Sequence, residues 1–218
     1  MRRCYIVGAA DFAPARFKPE PGDFVIAADA GILHLDGLGV KPDLILGDFD
    51  SLGRVPDFPD VEVCPVRKDD TDSMIAARRA IGHGCDELLF FGCLGGKRLD
   101  HTIANLQTIA WAACEGAAAY LVGDGCCLTA LTGGESLTFD ARYRGDFSVF
   151  CLGADAAGVT ERGLSYSLEG AGLTAHFPLG VSNSFTGESA YVSVERGLLV
   201  IYWHDDPALP LPTRGAAR

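Results

Sequence analysis

Residues 43–51 read Asp-Leu-Ile-Leu-Gly-Asp-Phe-Asp-Ser, a short apolar run, a glycine, and two aspartates one residue apart. A continuous apolar run of this length suits a strand covered on both faces, as in a parallel sheet. Similar runs at 4–7, 24–27, 61–65, 87–91 and 119–122 predict further strands. Between them the spacing predicts two helices. One covers 71–81, capped by Asp70 or Thr71, with Met74, Ala77 and Ile81 on one side. The other covers 99–115, with Ile103, Leu106, Ala110 and Ala113 as its stripe and Gly116 as its stop. Strands alternating with helices indicate an α/β fold: a mostly parallel, Rossmann-like sheet with flanking helices.

After about Gly133 helical periodicity stops. Strand-like segments at 136–139, 147–152, 163–168, 173–177, 190–194 and 198–203, punctuated by Gly, Asp and Ser, predict a small C-terminal antiparallel β-sandwich. The expected domains are therefore 1–132 and 133–204. Residues 205–218, with the run Pro-Ala-Leu-Pro-Leu-Pro, are expected to form a flexible tail.

The 218 residues carry a formal net charge of −11, which argues against nucleic acid or anionic membrane as partners. Its placement says more. Of the acids, 20 are Asp and 9 are Glu, and Asp prefers caps and loops to helix faces. From Asp36 to Asp72, nine aspartates and Glu62 face four cations, a local charge of −6. The eight cysteines contain no C-x-x-C pair and several lie in apolar runs. Free thiols in a reducing cytoplasm are expected. The N-terminus reads as a first strand rather than a signal peptide, and no apolar run nears the roughly 18 residues of a membrane span, so a soluble protein is expected.

In open α/β sheets, ligands bind beyond the carboxyl ends of the strands. Here those ends carry Asp29, then Asp48 and Asp50, then Lys68 to Asp72, then Gly92 to His101. Alternate carboxylates on extended chain point the same way, and hard oxygen donors without His or Cys favour magnesium. Asp48, Asp50 and Asp72 are thus the metal candidates. Gly95-Gly96-Lys97-Arg98 opens the second helix with Asp100 in its first turn, a combination suited to phosphate. Neither the P-loop nor the G-x-G-x-x-G pattern occurs, so a nicotinamide oxidoreductase is not expected. No Gly-x-Ser-x-Gly occurs either. Of the five dispersed histidines only His101, beside Asp100, adjoins a candidate site. The Gly180-Val181-Ser182-Asn183 segment, taken alone, reads as a polar turn.

Taken together, Ala-Asp29-Ala-Gly, Lys-Pro-Asp-Leu-Ile-Leu-Gly-Asp48-Phe-Asp50-Ser, Lys68-Asp69-Asp-Thr71-Asp72, Gly95-Gly96-Lys97-Arg98-Leu-Asp100-His101 with Asn105, and Gly-Val-Ser182-Asn183 resemble the thiamine pyrophosphokinase family. The resemblance spans residues 1 to about 203, in the family's order. It implies an ATP- and Mg²⁺-binding α/β catalytic domain, a thiamine-binding β-sandwich, and a homodimer with active sites between subunits. The implied reaction moves the pyrophosphoryl group of ATP to thiamine, giving thiamine diphosphate and AMP. By motif, Asp48, Asp50 and Asp72 would hold the metal, with Asp29 and Asp100 at the same catalytic site. Lys68, Asp69, Thr71, Gly95, Gly96, Lys97, Arg98, His101 and Asn105 would serve ATP, and Ser182 and Asn183 thiamine. Many members have one residue fewer in the glycine loop, so Lys97 and Arg98 are alternatives for its arginine; Arg98 keeps the R-x-D-H spacing.

Two other classes fit parts of the pattern. A strand followed by Asp-Phe-Asp-Ser also resembles haloacid-dehalogenase phosphatases, with Asp48 as nucleophile. A non-catalytic thiamine- or nucleotide-binding protein would not need so many carboxylates.

Overall fold

In the computed structural model, which describes residues 2–217, all six apolar runs of the first half become strands. They are β1 (Arg3–Val7), β2 (Phe24–Ala28), β3 (Leu44–Gly47), β4 (Val61–Val63), β5 (Glu87–Phe91) and β6 (Ala118–Gly123). Their order is β6-β5-β1-β2-β3-β4, and every neighbouring pair is parallel. Parallel pairing needs crossovers. Three of these carry helices: α1 (Ile32–Leu38) after β2, α2 (Asp72–Gly82) after β4 and α3 (Leu99–Cys114) after β5. The central strands are buried throughout, with Cys4 to Val7 no more than 2% exposed.

The helix α2 starts where its cap predicts, because Thr71 Oγ1 accepts the Met74 N–H at 3.2 Å. Its buried face is Ala76, Ala77 and Ala80, small enough to let the helix lie close to its neighbours. The expected stripe of α3 is met at Ala110 and Ala113, both buried, but not at Ile103. Ile103 is 54% exposed, while Asn105, Thr108, Ile109 and Ala112 are buried. That set has helical spacing too, but two polar members hide it from a hydrophobicity count. The seven-residue α1 was not evident in the sequence; Gly37 lies within it and Gly39, with φ 66°, ends it in the left-handed conformation.

The chain divides into two units, and the second begins at Gly125, eight residues before the expected boundary at Gly133. The reason is β7 (Cys126–Thr132), which pairs along its whole length with a strand of the second unit. That unit also contains β8 (Glu135–Phe139), β9 (Asp146–Cys151), β10 (Ala156–Arg162), β11 (Leu168–Leu173), β12 (Asn183–Ser184), β13 (Ala190–Val194), β14 (Leu198–His204) and β15 (Thr213–Ala216). Strands β12-β9-β14-β7 form one antiparallel set and β11-β10-β13-β8-β15 another. The strands expected at 163–168 and 173–177 are displaced to β10 and β11, since Gly163, at φ 71°, turns the chain between them. The described residues of the expected tail, 205–217, are not flexible chain, and Arg218 lies outside the described residues. β15 pairs with β8 from Thr213↔Thr138 to Ala216↔Glu135, and Arg214 reaches Thr129 Oγ1 and the Ala130 carbonyl, both at 2.7 Å.

Aromatic rings join the two antiparallel sets. Phe139 of β8 meets Trp203 of β14 at 5.3 Å and Phe147 of β9 at 5.6 Å, both edge to face. Each such buried ring contributes roughly 1.5–3 kcal/mol by burial, and edge-to-face pairing adds about 0.5–1.5 kcal/mol. All eight cysteines are free, and five of them are buried. Among the described residues, no helix is long and apolar enough to cross a membrane.

Candidate active site

Three non-glycine residues among those described have left-handed backbone: Asp29 (φ 49°), Phe49 (φ 57°) and Ser182 (φ 63°). Each lies in a motif singled out from the sequence. Such conformations are disfavoured for residues with a Cβ and cluster at functional positions. Phe49 shows how the strain is held, since its ring is only 2% exposed and anchors the loop after β3. The Asp48-Phe49-Asp50 segment is therefore not extended, contrary to the reasoning that aligned its carboxylates. It turns at Phe49, and the Asp50 N–H donates to Asp48 Oδ1 at 3.2 Å. Asp48 is half-buried and Asp50 is exposed.

The acids after β3 and β4 flank a lysine, and Asp29, after β2, acts on one of them through its charge. Lys68 Nζ lies 2.6 Å from Asp72 Oδ1 and 3.8 Å from Asp48 Oδ2. Ser51 Oγ donates to Asp29 Oδ2 at 2.7 Å, which leaves Asp29 Oδ1 buried without a hydrogen-bond partner. Burial raises the Asp72 pKa, and the charges of Asp48 and Asp29 add to that, against the lowering effect of Lys68. Burial works against the Lys68 ammonium, yet its bond to Asp72 and the acids around it raise its pKa overall. The cluster thus holds an excess of negative charge that one lysine does not neutralise.

Among the described residues, no three acid, histidine or cysteine side chains stand close enough to hold a metal ion by themselves. Asp48, Asp50 and Asp72 do not form a ready cage. The donor chemistry nevertheless suits magnesium, which takes one or two carboxylates and completes its shell with water and substrate phosphate. The unpartnered Asp29 oxygen and the uncompensated charge both fit a divalent cation at this place.

The glycine loop after β5 has Gly95 and Gly96 at φ 71° and 72°. It is tied down from below, where Asn105 Nδ2 donates to the Cys93 carbonyl at 2.7 Å. Asn105 is 5% exposed and acts on the loop's backbone. The N-cap residue Arg98 makes no side-chain cap on α3, which leaves the Leu99 and Asp100 N–H groups for a ligand, while the His101 N–H is bonded to the Arg98 carbonyl at 3.1 Å. Arg98 is bonded to Asp100 at 2.9 and 2.6 Å, and that guanidinium holds the exposed Asp100 down to about 2. Asp100 thus stands with Arg98, not in the Lys68 cluster. Lys97, His101 and Asp69 are exposed, and Thr71 serves as the α2 cap. Sequence reasoning missed Asp11, whose Oδ2 accepts the Gly96 N–H at 3.2 Å. Its position just beyond β1 was the available signal. Ser51 was also missed, although it adjoins the two aspartates.

In the second unit Ser182 is exposed, and its N–H donates to Ser148 Oγ at 3.2 Å. Asn183 is buried and fully engaged. Its Nδ2 donates to Glu161 Oε2 and the Tyr166 carbonyl, and its Oδ1 accepts from the N–H groups of Tyr166 and Ser184. Glu161 is 1% exposed with Oε1 unpartnered, and burial pushes its pKa from 4.5 up to about 7. The folded carboxyl holds its proton more tightly than the unfolded one. Its contribution to stability is therefore complete below about pH 4.5 and lost progressively as pH rises towards 7. Relative to Glu161→Gln, the native chain is expected to lose on the order of 3 kcal/mol between pH 5 and 8. Urea unfolding of both proteins at the two pH values checks this, and parallel pH responses would refute it.

Fold and site define an α/β protein with its chemistry-bearing side chains at the carboxyl ends of a parallel sheet, followed by an antiparallel β unit. Comparison with known families makes this specific. Residues 20–121 match the model of the thiamin pyrophosphokinase catalytic domain, and residues 137–199 match that of the thiamin pyrophosphokinase vitamin B1 binding domain. The chain belongs to the thiamin pyrophosphokinase family and is an enzyme of that family. Similar solved structures include thiamin pyrophosphokinase from Geobacillus thermodenitrificans, with TM-score 0.78 and 27% identity over 95% of this chain and 100% of that one. The Bacillus subtilis enzyme has TM-score 0.78 and 23% identity, covering 94% of this chain and 100% of its own. The Candida albicans enzyme has TM-score 0.75 and 13% identity, covering 94% and 89%. At the two lower identities the likeness is one of fold. Comparison with curated protein sequences yields no match.

Proposed function

We propose that the chain transfers the pyrophosphoryl group of ATP to the hydroxyethyl group of thiamine, giving thiamine diphosphate and AMP. The supporting observation is that Asp48 and Asp72, from separate strand ends, meet at one lysine with the charge of Asp29 felt at Asp72, in a chain of this family. ATP and these acids repel one another, by about 4 kcal/mol for two unit charges 4 Å apart at an effective dielectric near 20. Magnesium, held by Asp48 and Asp72 with Asp29 and Asp50 as further donors, supplies the neutralising charge when bound.

The remaining roles belong to the chain's own groups. Lys68 exchanges a carboxylate for a phosphate oxygen. Gly95, Gly96, Lys97, Arg98 and the open first turn of α3 hold the phosphates. Asp69 and His101 border that site, while Thr71 and Asn105 fix its backbone. Ser182 meets thiamine, and Asn183 orders the loop that presents it. The enzyme contributes alignment more than nucleophilic power, since the hydroxyl must attack the β-phosphorus in line. In this reading the Rossmann-like α/β domain, expected over 1–132, binds ATP, and the β-sandwich, expected over 133–204, binds thiamine. The enzyme works as a cytoplasmic homodimer with active sites between subunits, and its free thiols suit a reducing compartment.

Incubation of the purified protein with Mg²⁺, ATP and thiamine tests the proposal. Equal amounts of AMP and thiamine diphosphate are expected. Phosphate release through a covalent phospho-Asp48, or no thiamine-dependent AMP, overturns it.

A further inference from the structure

We propose that Glu161 is a positioning residue for thiamine, acting through the Asn183 amide on the turn that carries Ser182, an inference that rests on the proposed reaction. Glu161 lies outside every motif singled out in the sequence. It stands on β10 in one antiparallel set, and Asn183 stands on β12 in the other. The two residues are 1% and 5% exposed, and Glu161 Oε2 accepts the Asn183 Nδ2 N–H at 2.9 Å. Glu161 is itself fixed by its strand, opposite Val192 of β13 on one side and Leu168 of β11 on the other.

The contact decides which way the amide faces. An asparagine amide offers two N–H donors and a carbonyl that accepts twice, and at Asn183 all of these are used. Besides its bond to Glu161, Nδ2 donates to the Tyr166 carbonyl at 2.7 Å, and Oδ1 accepts the N–H groups of Tyr166 and Ser184, each at 2.9 Å. Turned over, the amide would set its donors against those N–H groups and its carbonyl against the Glu161 carboxyl and the Tyr166 carbonyl. The backbone partners belong to the segments that the amide joins, whereas the carboxyl comes from a third segment and holds the amide from outside. Ser182 precedes Asn183 with φ 63°, a conformation that persists only where its surroundings over-determine it. Its N–H on Ser148 Oγ is one restraint, and the oriented Asn183 is a second. Stability does not account for an acid at this position. Glu161 Oε1 is buried without a partner, and a polar atom so placed costs free energy. What the residue contributes is order at the turn.

Glu161→Met keeps the length of the side chain and removes the acceptor, whereas Glu161→Gln keeps a carbonyl oxygen for Asn183. Circular dichroism and thermal melts check folding, and Glu161→Ala takes the place of the methionine variant if that one does not fold. Steady-state assays on the full chain, with thiamine and Mg²⁺-ATP varied in turn, then separate the two substrates. Glu161→Met is expected to raise the thiamine KM about tenfold, the scale of one lost buried hydrogen bond, with the ATP KM within about twofold of native. Glu161→Gln should restore the native thiamine KM. Asn183→Ala should raise the thiamine KM as well, and adding Glu161→Met to it should raise it no further, because the carboxyl acts through that amide. A thiamine KM within about twofold of native in Glu161→Met, whatever its melting temperature, overturns the inference. So do equal rises for both substrates, a Glu161→Gln protein as impaired as Glu161→Met, or additive effects in the double variant. Those results leave the proposed reaction standing. A native chain that forms no AMP with thiamine overturns the proposed function and this inference with it.

Discussion

Asp48→Asn and Asp72→Asn are each expected to lower thiamine diphosphate formation about 10³-fold while leaving the chain folded. Removing one carboxylate removes an interaction of about 4 kcal/mol with a charge 4 Å away. At about 1.4 kcal/mol per decade of rate, that is three decades. Stability moves little for a separate reason. Burial and the charges of Asp48 and Asp29 already disfavour ionised Asp72, so neutralising it relieves as much as it removes. Asparagine keeps a carbonyl for the Lys68 ammonium, which now lies 2.6 Å from Asp72 Oδ1. A melting temperature within about 4 °C of the native chain is expected, equivalent to roughly 1 kcal/mol at this size. Steady-state assays and thermal melts on the same preparations separate the two effects. Turnover within tenfold of native in both variants sinks the role given to the acid cluster.

Gly31→Ala is expected to destabilise the fold by more than about 4 kcal/mol, an exceptional loss for one methyl group. Gly31 has φ −57° and ψ −22°, which alanine adopts readily. By intrinsic preference the substitution should stabilise by roughly 0.4–1 kcal/mol. Position reverses the sign. A Cβ at Gly31 would lie 1.9 Å from the Val7 carbonyl oxygen and 2.6 Å from its carbon. Val7 ends β1, whose backbone is fixed by β2 on one side and β5 on the other, so neither can give way. Gly37→Ala, six residues on and with nothing near its Cβ, should show the intrinsic gain alone. Urea midpoints for the two alanine variants decide the matter; a Gly31→Ala protein as stable as Gly37→Ala would mean the packing at β1 is looser than described.

The parallel sheet was legible because its strands are buried on both faces and read as unbroken apolar runs. Where a strand carries glycine or polar residues, as in β10, or follows another with only Asp124 and Gly125 between them, as β7 does, hydrophobicity marks no boundary. The residues of the acid cluster were legible because strand ends are where a sheet exposes its ligand groups. Their arrangement was not. The turn at Phe49 depends on burying a ring in the tertiary structure. Asn105 and Asn183 carry motif positions, yet their amide groups are spent on carbonyls and N–H groups of neighbouring loops. Spacing along a chain cannot reveal such partners. The contact that Asp11 makes is invisible for the same reason, as its partner Gly96 is 85 residues away.

The short β15 has one more consequence. Without residues 213–216, β8 would be an outer strand, its backbone donors and acceptors open along a five-residue row. Such a row invites strands from other molecules to join it. β15 replaces that row with four residues that include a glycine and an arginine folded back onto Thr129 and Ala130, a poor template for further pairing. Residues 213–216 thus cover strand backbone that would otherwise stand open to other molecules.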